Sequence, residues 1–435
     1  MSISSAARTV HVIGAGLAGL AAATALREAG FGVRVYEAAP RAGGRCRSHH
    51  DPVLDHVIDN GNHLLLSGNH ATLGWLRSLG AEDGLAGPKQ AAFPFLDLKT
   101  GHRWHLAIGA GRLPFWLLDP ARRVAGAGLA AHVGLFVRLM RAPDETPVAA
   151  LLPGDHPLMR NFLEPFTVAV LNRAPNKAAV GLLKPVVRET LLKGGRACRP
   201  LIARHSLEEA LIAPALRRLA EWNVPVRYGC RIRGWEQEGD RITALRTATD
   251  SIPVTAGDEV LLAVPQHAAR RLLPDLPTPT DGEAIVNLHY RLPAPPFGPG
   301  VHLFGLVGGL AQWVFARDTL VSVTISAADH LLDMDQETLA RRIFAEIGRL
   351  WKDRGGAGRN LPPWRVVREK RATFAADARA LTSRPGSDGG QAFARNLWLA
   401  GDWTATGLPA TIESAVRSGL AAAAAIGQRT APERG

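Results

Sequence analysis

The stretch Gly14-Ala-Gly16-Leu-Ala-Gly19 constrains this chain more than any other. It stands between a short apolar run, Val10–Ile13, and an alanine- and leucine-rich run, Leu17 to Glu28, closed by Gly30. A second apolar run, Val33–Tyr36, ends in Glu37. The order predicts strand, tight turn, helix and strand, which is one βαβ unit. Gly14 permits the turn, Gly16 lets a pyrophosphate approach the backbone, and Gly19 lets helix pack on strand. The helix N-terminus offers free N–H groups and partial positive charge to phosphate. An acid about 20 residues on accepts hydrogen bonds from the adenosine ribose, and Glu37 is that acid. A glycine-rich turn alone would leave Glu37 without a purpose.

NAD and FAD share this fingerprint, and two further motifs point to FAD. Gly43-Gly44-Arg45 follows Glu37, where the glycines let backbone pass close to the phosphates and Arg45 meets their charge. Near the other end, Leu397-Trp-Leu-Ala-Gly401-Asp402 reads as a buried strand ending in a glycine and an acid. A loop from Gly407 then enters a helix at Ile412, whose N-terminus would favour negative charge on a reduced ring.

At 435 residues the chain exceeds one ordinary core, and its 46% hydrophobic and 21% charged residues describe a globular protein. The fold class expected is α/β, a discontinuous Rossmann-type FAD-binding domain with an inserted α+β substrate domain. Residues 1–105, 193–270 and 391–435 are assigned to the first, and residues 106–192 (helical) and 271–390 (sheet and helix) to the second. Strands are expected at Val226–Tyr228, Arg231–Trp235, Arg241–Thr247, Glu259–Val264, Ala284–Leu292, Gln312–Ala316, Val321–Ser326 and Arg365–Arg371, with a helix from Met334 to Lys352.

The net charge of +12 is spread over scattered arginines with no nucleic-acid-binding motif, so nucleic acid is not an expected partner. An anionic membrane surface and a plain solvated surface both remain open. Cys46, Cys198 and Cys230 lack metal-ligand spacing, so no metal site or disulfide framework is expected, and a reducing cytoplasm fits. No secretory pattern precedes the first strand. Val124 to Met140 is apolar but interrupted by His132 and Arg138, too short and too charged to span a bilayer. Leu113-Pro-Phe-Trp-Leu-Leu118 before Arg122-Arg123 suits either a peripheral membrane contact or a core helix with a basic turn.

Taken together, the glycine fingerprint with Glu37, the Gly-Gly-Arg and the Leu-Ala-Gly-Asp ending resemble the flavin amine oxidase and phytoene desaturase superfamily over essentially the whole chain. The resemblance implies that Asp402 binds the ribityl chain and that the segment ending at Ile232 places a backbone group on the adenine. It also implies that the Asp59–Gly68 loop, with Gly61 and His63, lies beside the isoalloxazine. Ile285–Leu292, Gly308–Phe315, Val321–Asp329 and Gly407–Ala415 look like its squalene-associated branch. That branch implies an isoprenoid lipid substrate, reductive loss of an allylic hydroxyl from hydroxysqualene in hopanoid precursor synthesis, and companion squalene-pathway enzymes. A carotenoid-type desaturase and a non-catalytic isoprenoid escort are the alternatives. Amine oxidation is disfavoured, because Tyr36, Tyr228 and Tyr290 leave the C-terminal segment without a tyrosine for an amine-orienting cage. Hydroxide is a poor leaving group and needs a proton donor; His63, Glu164 and Glu413 are the candidates, against a flavin or backbone hydrogen bond for His63, a surface position for Glu164 and a helix cap for Glu413.

Overall fold

Three runs, Thr9–Ile13, Glu259–Leu262 and Leu397–Leu399, are buried at every position but Thr9, the polar His11 and Glu259 included, and a strand of that kind is covered on both faces. The computed structural model, which describes residues 8–351 and 360–430, sets them side by side in an all-parallel five-stranded sheet. Its order is Val226–Arg227, Gly32–Tyr36, Thr9–Ile13, Glu259–Leu262, Leu397–Leu399. Val12 sits opposite Val35 on one side and Leu261 on the other, and Leu261 opposite Trp398. Helices Leu17–Glu28 and Ile412–Thr430 lie together against the sheet. They approach closely enough that a Cβ on Gly419 would stand 2.1 Å from the Ala18 carbonyl oxygen. The two ends of the chain thus build one half of the molecule. Because the strands are parallel, Gly14, Glu37, Ala263 and Gly401-Asp402 all leave the sheet at the same edge.

The second half is a seven-stranded sheet in the order Trp364–Glu369, Ile285–Arg291, Leu320–Ile325, Trp313–Arg317, Val301–Val307, Ala91–Asp97, Arg103–Ile108. All its neighbours are antiparallel except Val301–Val307 with Ala91–Asp97. Side chains alternate as the pleat requires. Val286, Leu288, Tyr290, Val314, Val321 and Val323 pack towards helix Gln336–Ile347, where the Tyr290 hydroxyl donates to the Ala340 carbonyl at 2.8 Å. The opposite face carries a row in register across six strands: Val367, Asn287, Thr324, Trp313, Gly305, Phe95. Gly305 is the gap in that row, since a Cβ there would stand 2.3 Å from the Phe95 ring. Phe95 stacks on Trp104, its partner in the seventh strand, and meets Trp313 edge-on.

The sequence boundaries shift in several places. The seven-stranded sheet takes in Ala91–Asp97 and Arg103–Ile108, so the substrate half begins upstream of the expected boundary at 105. Pro94 hides that strand from a sequence reading; it is tolerated because Val301–Val307 pairs only with Phe95–Asp97. Val301–Val307 itself was not expected. The expected strands Val226–Tyr228 and Arg231–Trp235 are observed as Val226–Arg227 and Gly234–Glu238, so Ile232 lies between strands. The expected helix Met334–Lys352 is Gln336–Ile347 with a short 3-10 turn after it, and Lys352 lies outside the described residues. The helical block is present as Leu129–Arg141, Glu164–Leu171 and Val180–Glu189 with intervening single turns.

Candidate active site

Between the parallel sheet's loop edge and the polar-to-aromatic face of the large sheet runs one cavity of about 890 Å³. Its walls divide into two limbs. The first is made by Gly14, Gly16, Glu37, Gly44, Ile232 and Asp402. The second is made by Phe93, Phe95, Leu106, Phe162, Phe166 and Trp313, with the helical block closing its side. The loop from Asn60 to Leu66 and the sheet residues Asn287 and Thr324 stand where the limbs meet.

The first limb is shaped for a dinucleotide. Gly14 has φ +110°, and a Cβ on Gly19 would fall 1.9 Å from the Gly14 carbonyl oxygen, so turn and helix tolerate no side chain. A Cβ on Gly16 would point into open space within the cavity wall, leaving backbone exposed to a phosphate. The Gly43–Gly44 turn lies directly against this loop: Gly43 N donates to the Ala15 carbonyl at 2.9 Å. Glu37 accepts from Ala15 N at 2.8 Å and from Ala39 N at 2.7 Å, which fixes its carboxylate and leaves lone pairs for ribose hydroxyls. Ile232 is buried in the wall, in the non-strand stretch after Arg227. Ile412, first residue of the last helix, and Gly401, φ +151°, line the same limb.

Arg45 is also engaged by protein partners. Its guanidinium donates to Asp402 Oδ1 and to the Ala372 carbonyl, both at 2.6 Å, instead of reaching for phosphate alone. Asp402 is 5% exposed, and a carboxylate so far from water requires a counter-charge. Both residues still border the cavity, so the pair presents a fixed dipole to whatever fills it.

The three expected proton donors fare differently. Glu164 is exposed at the start of its helix and does not reach the cavity; its neighbours Phe162 and Phe166 do, stacked 5.5 Å apart. It is removed as a candidate. Glu413 is buried and accepts from Ala71 N, Thr72 N and Thr72 Oγ1 at 2.7–2.9 Å, with Arg417 at 3.3 Å. It therefore caps helix His70–Ser78 from across the fold, with both carboxylate oxygens engaged as acceptors. His63 does face the cavity, with no hydrogen-bond partner among the described residues. Burial pushes its pKa down to about 4, with Asp59 pulling the other way, so the ring is neutral near pH 7 and serves as a hydrogen-bonding group there. Glu369, which sequence reading passed over, lines the cavity and accepts from Asn60 Nδ2 at 3.1 Å. Asn62 Nδ2 donates to Asn287 Oδ1 at 3.3 Å and to Thr324 Oγ1 at 3.1 Å, tying the loop to the sheet.

Comparison with known proteins places this geometry. The model of the family described as "Flavin containing amine oxidoreductase" matches residues 17–427. The chain belongs to the flavin-containing amine oxidoreductase family. Relatives named hydroxysqualene dehydroxylase are similar over nearly their full length. The one from Rhodopseudomonas palustris is 47% identical, over 96% of this chain and 97% of its own. Those from Sinorhizobium fredii and Zymomonas mobilis are 45% and 42% identical, over 96% and 95% of this chain and 97% of theirs. Among solved structures, an oxidoreductase from Methanosarcina mazei superposes with TM-score 0.71 at 14% identity, covering 95% of this chain and 99% of that one. Cyclohexylamine oxidase from Brevibacterium oxydans gives 0.70 at 16%, covering 97% and 99%. As a member of this family the protein is an FAD-dependent oxidoreductase, and the residues of the first limb fit the cofactor.

Buried neutral histidines also set a pH limit on the fold. His289, fully buried beside Ser322 Oγ at 2.8 Å, has its pKa lowered to about 4 by desolvation, as His63 does. The folded pKa lies below the unfolded value of 6.5, so the unfolded chain takes up these protons first. The contribution is complete above pH 6.5 and is lost as pH falls towards 4. At about 1.4 kcal/mol per pKa unit, the loss at His289 by pH 4 is roughly 3 kcal/mol. Urea unfolding between pH 7 and 4 is expected to show this decline, and His289→Gln to flatten it; parallel curves for both proteins would contradict it.

Proposed function

We propose that this protein reduces hydroxysqualene to squalene, with FAD in the first limb and the isoprenoid chain in the second. The observation that carries the reading is 42–47% identity, over almost the entire chain, to three proteins named hydroxysqualene dehydroxylase. The second limb supports it: Phe93, Phe95, Leu106, Phe162, Phe166 and Trp313 offer a long hydrocarbon an aromatic and aliphatic wall.

The overall step exchanges hydroxyl for hydrogen: alcohol, a hydride and a proton give hydrocarbon and water. FAD, when bound and reduced, supplies the hydride. The chain's residues do the rest. Glu37 and the Gly14–Gly19 turn hold the nucleotide end, and the Arg45–Asp402 pair fixes the junction. The Asn62–Asn287–Thr324 network keeps the Asn60–Leu66 loop rigid at the reacting end. Phe93, Phe95, Phe162, Phe166 and Trp313 exclude water, which protects an allylic cation from recapture and lets aromatic faces stabilise it. Anaerobic incubation of the reduced holoenzyme with hydroxysqualene is expected to yield squalene. Desaturation of squalene or phytoene by the oxidised protein, without dehydroxylation, would overturn the reading in favour of a desaturase.

The substrate partitions into bilayers, and an apolar outer surface supports its capture from one. Leu113, Phe115 and Leu118 are 65%, 70% and 64% exposed around the single turn Phe115–Leu118, whose Leu117 alone enters the core. Helix Leu129–Arg141 turns Leu129, Val133 and Val137 outward at four-residue spacing, while His132, Leu135 and Leu139 face in. Exposed Arg112, Arg138 and Arg141 accompany them. Such a face suits a peripheral contact with anionic lipid, and the chain leads from it directly into Leu106 and Ile108 of the second limb. A companion enzyme releasing the alcohol on the same membrane would supply it there. No helix among the described residues is long and apolar enough to cross a membrane. Trp116 is half-buried, so Phe115 is the better probe. Flotation with anionic liposomes is expected to recover the protein, less so with Phe115→Ser or at high salt; equal recovery with and without lipid would contradict the contact.

A further inference from the structure

We infer that Glu369 is the catalytic acid that protonates the departing hydroxyl, an assignment that rests on the dehydroxylation reading. Among the described residues, five carboxylates line the cavity: Glu37, Glu189, Glu369, Asp402 and Glu413. Four are committed. Glu37 holds two backbone N–H groups, Asp402 holds Arg45, and Glu413 caps helix His70–Ser78. Glu189 is bound by both guanidinium nitrogens of Arg417, at 3.0 and 2.7 Å, and that pairing holds its carboxyl below the usual range.

Among the described residues Glu369 has no ion pair within 4 Å. Oε2 accepts from Asn60 Nδ2, and Oε1 has only a long 3.5 Å contact from Arg371 N. The strand register sets it opposite Ile285, on the face that carries Asn287 and Thr324 and at the junction of the two limbs. Arg45 is a cation close enough to act on it through space, and that guanidinium is already engaged by Asp402. A hydrocarbon filling the second limb displaces water from this junction, and the Asn60 contact holds Oε2 so that Oε1 is the oxygen left to face the substrate.

The step balances. The proton on Glu369 passes to the hydroxyl oxygen, the C–O bond breaks with its electron pair leaving as water, and the hydride from reduced flavin closes the C–H bond. Glu369 ends as carboxylate and recovers its proton from solvent when the product leaves.

The test compares two leaving groups in wild type and Glu369→Gln, which keeps the size and an acceptor for Asn60. One substrate is hydroxysqualene; the other is its acetate ester, which departs as carboxylate without prior protonation. Glu369→Gln is expected to retain full flavin occupancy and to bind the alcohol, followed by the change in flavin absorbance of the oxidised holoenzyme, within about threefold of wild type. Its turnover of the alcohol should fall at least ~100-fold, the lower bound for loss of a general acid, while turnover of the ester stays within about threefold. Glu369→Asp should restore part of the alcohol rate. Equal losses on alcohol and ester, or no loss on the alcohol, overturn the assignment while leaving the dehydroxylase reading intact. A wild-type enzyme inactive on the alcohol overturns both.

Discussion

One guanidinium holds this molecule's working parts together. Arg45 donates to Asp402, 357 positions away, and to the carbonyl of Ala372, just beyond the edge strand of the large sheet. Three separate pieces of chain therefore converge on one side chain: the Gly-Gly turn, the end of the last parallel strand, and the exit of the large sheet. A carboxylate as buried as Asp402 costs several kcal/mol unless it is paired, so the arrangement is self-enforcing. If the C-terminal strand slipped by one residue, Asp402 would lose its partner.

From that anchor the two sheets acquire different duties. The parallel sheet releases the loops at its strands' C-terminal ends along one edge, which concentrates glycines, backbone N–H groups and the acids Glu37 and Asp402 around the first limb. The antiparallel sheet separates its faces by strict alternation, so one face builds a core with helix Gln336–Ile347 and the other grades from Asn287 and Thr324 to Trp313 and Phe95. Polar chemistry and a hydrocarbon channel thus meet at a junction fixed by strand register. The proposed reaction between a flavin and a long isoprenoid needs that geometry, since its hydride must cross a short gap at a place from which water is excluded.

What could be read from the sequence was mostly local. The Gly14–Gly19 turn with Glu37, the strand Leu397–Leu399 before Asp402 and the strands around Ile285 and Leu320 each carry their signal within a dozen residues. The strand Ala91–Asp97 was lost because Pro94 argues against a strand and only the sheet's one-sided pairing there excuses it. The carboxylates were harder, because their duties depend on partners far along the chain. Glu413 could be read as a helix cap, but the helix it caps, the distant one that begins at His70, could not be read. Glu164 had the right neighbours and the wrong direction. Glu369 carries no motif; its place at the junction follows from register with Ile285, 84 positions earlier along the chain.

The central claim is that the two ends of the chain hold FAD as one coupled unit through Arg45 and Asp402. A double-mutant cycle on FAD affinity tests it most directly, using Arg45→Leu, Asp402→Asn and the double variant, each titrated from the apoprotein. The account predicts that each single change weakens FAD binding by about 1–3 kcal/mol, mostly because the remaining charge is left buried and unpaired, and that the double variant loses clearly less than the sum. Strictly additive losses, or FAD affinity unchanged in either single variant, would contradict it.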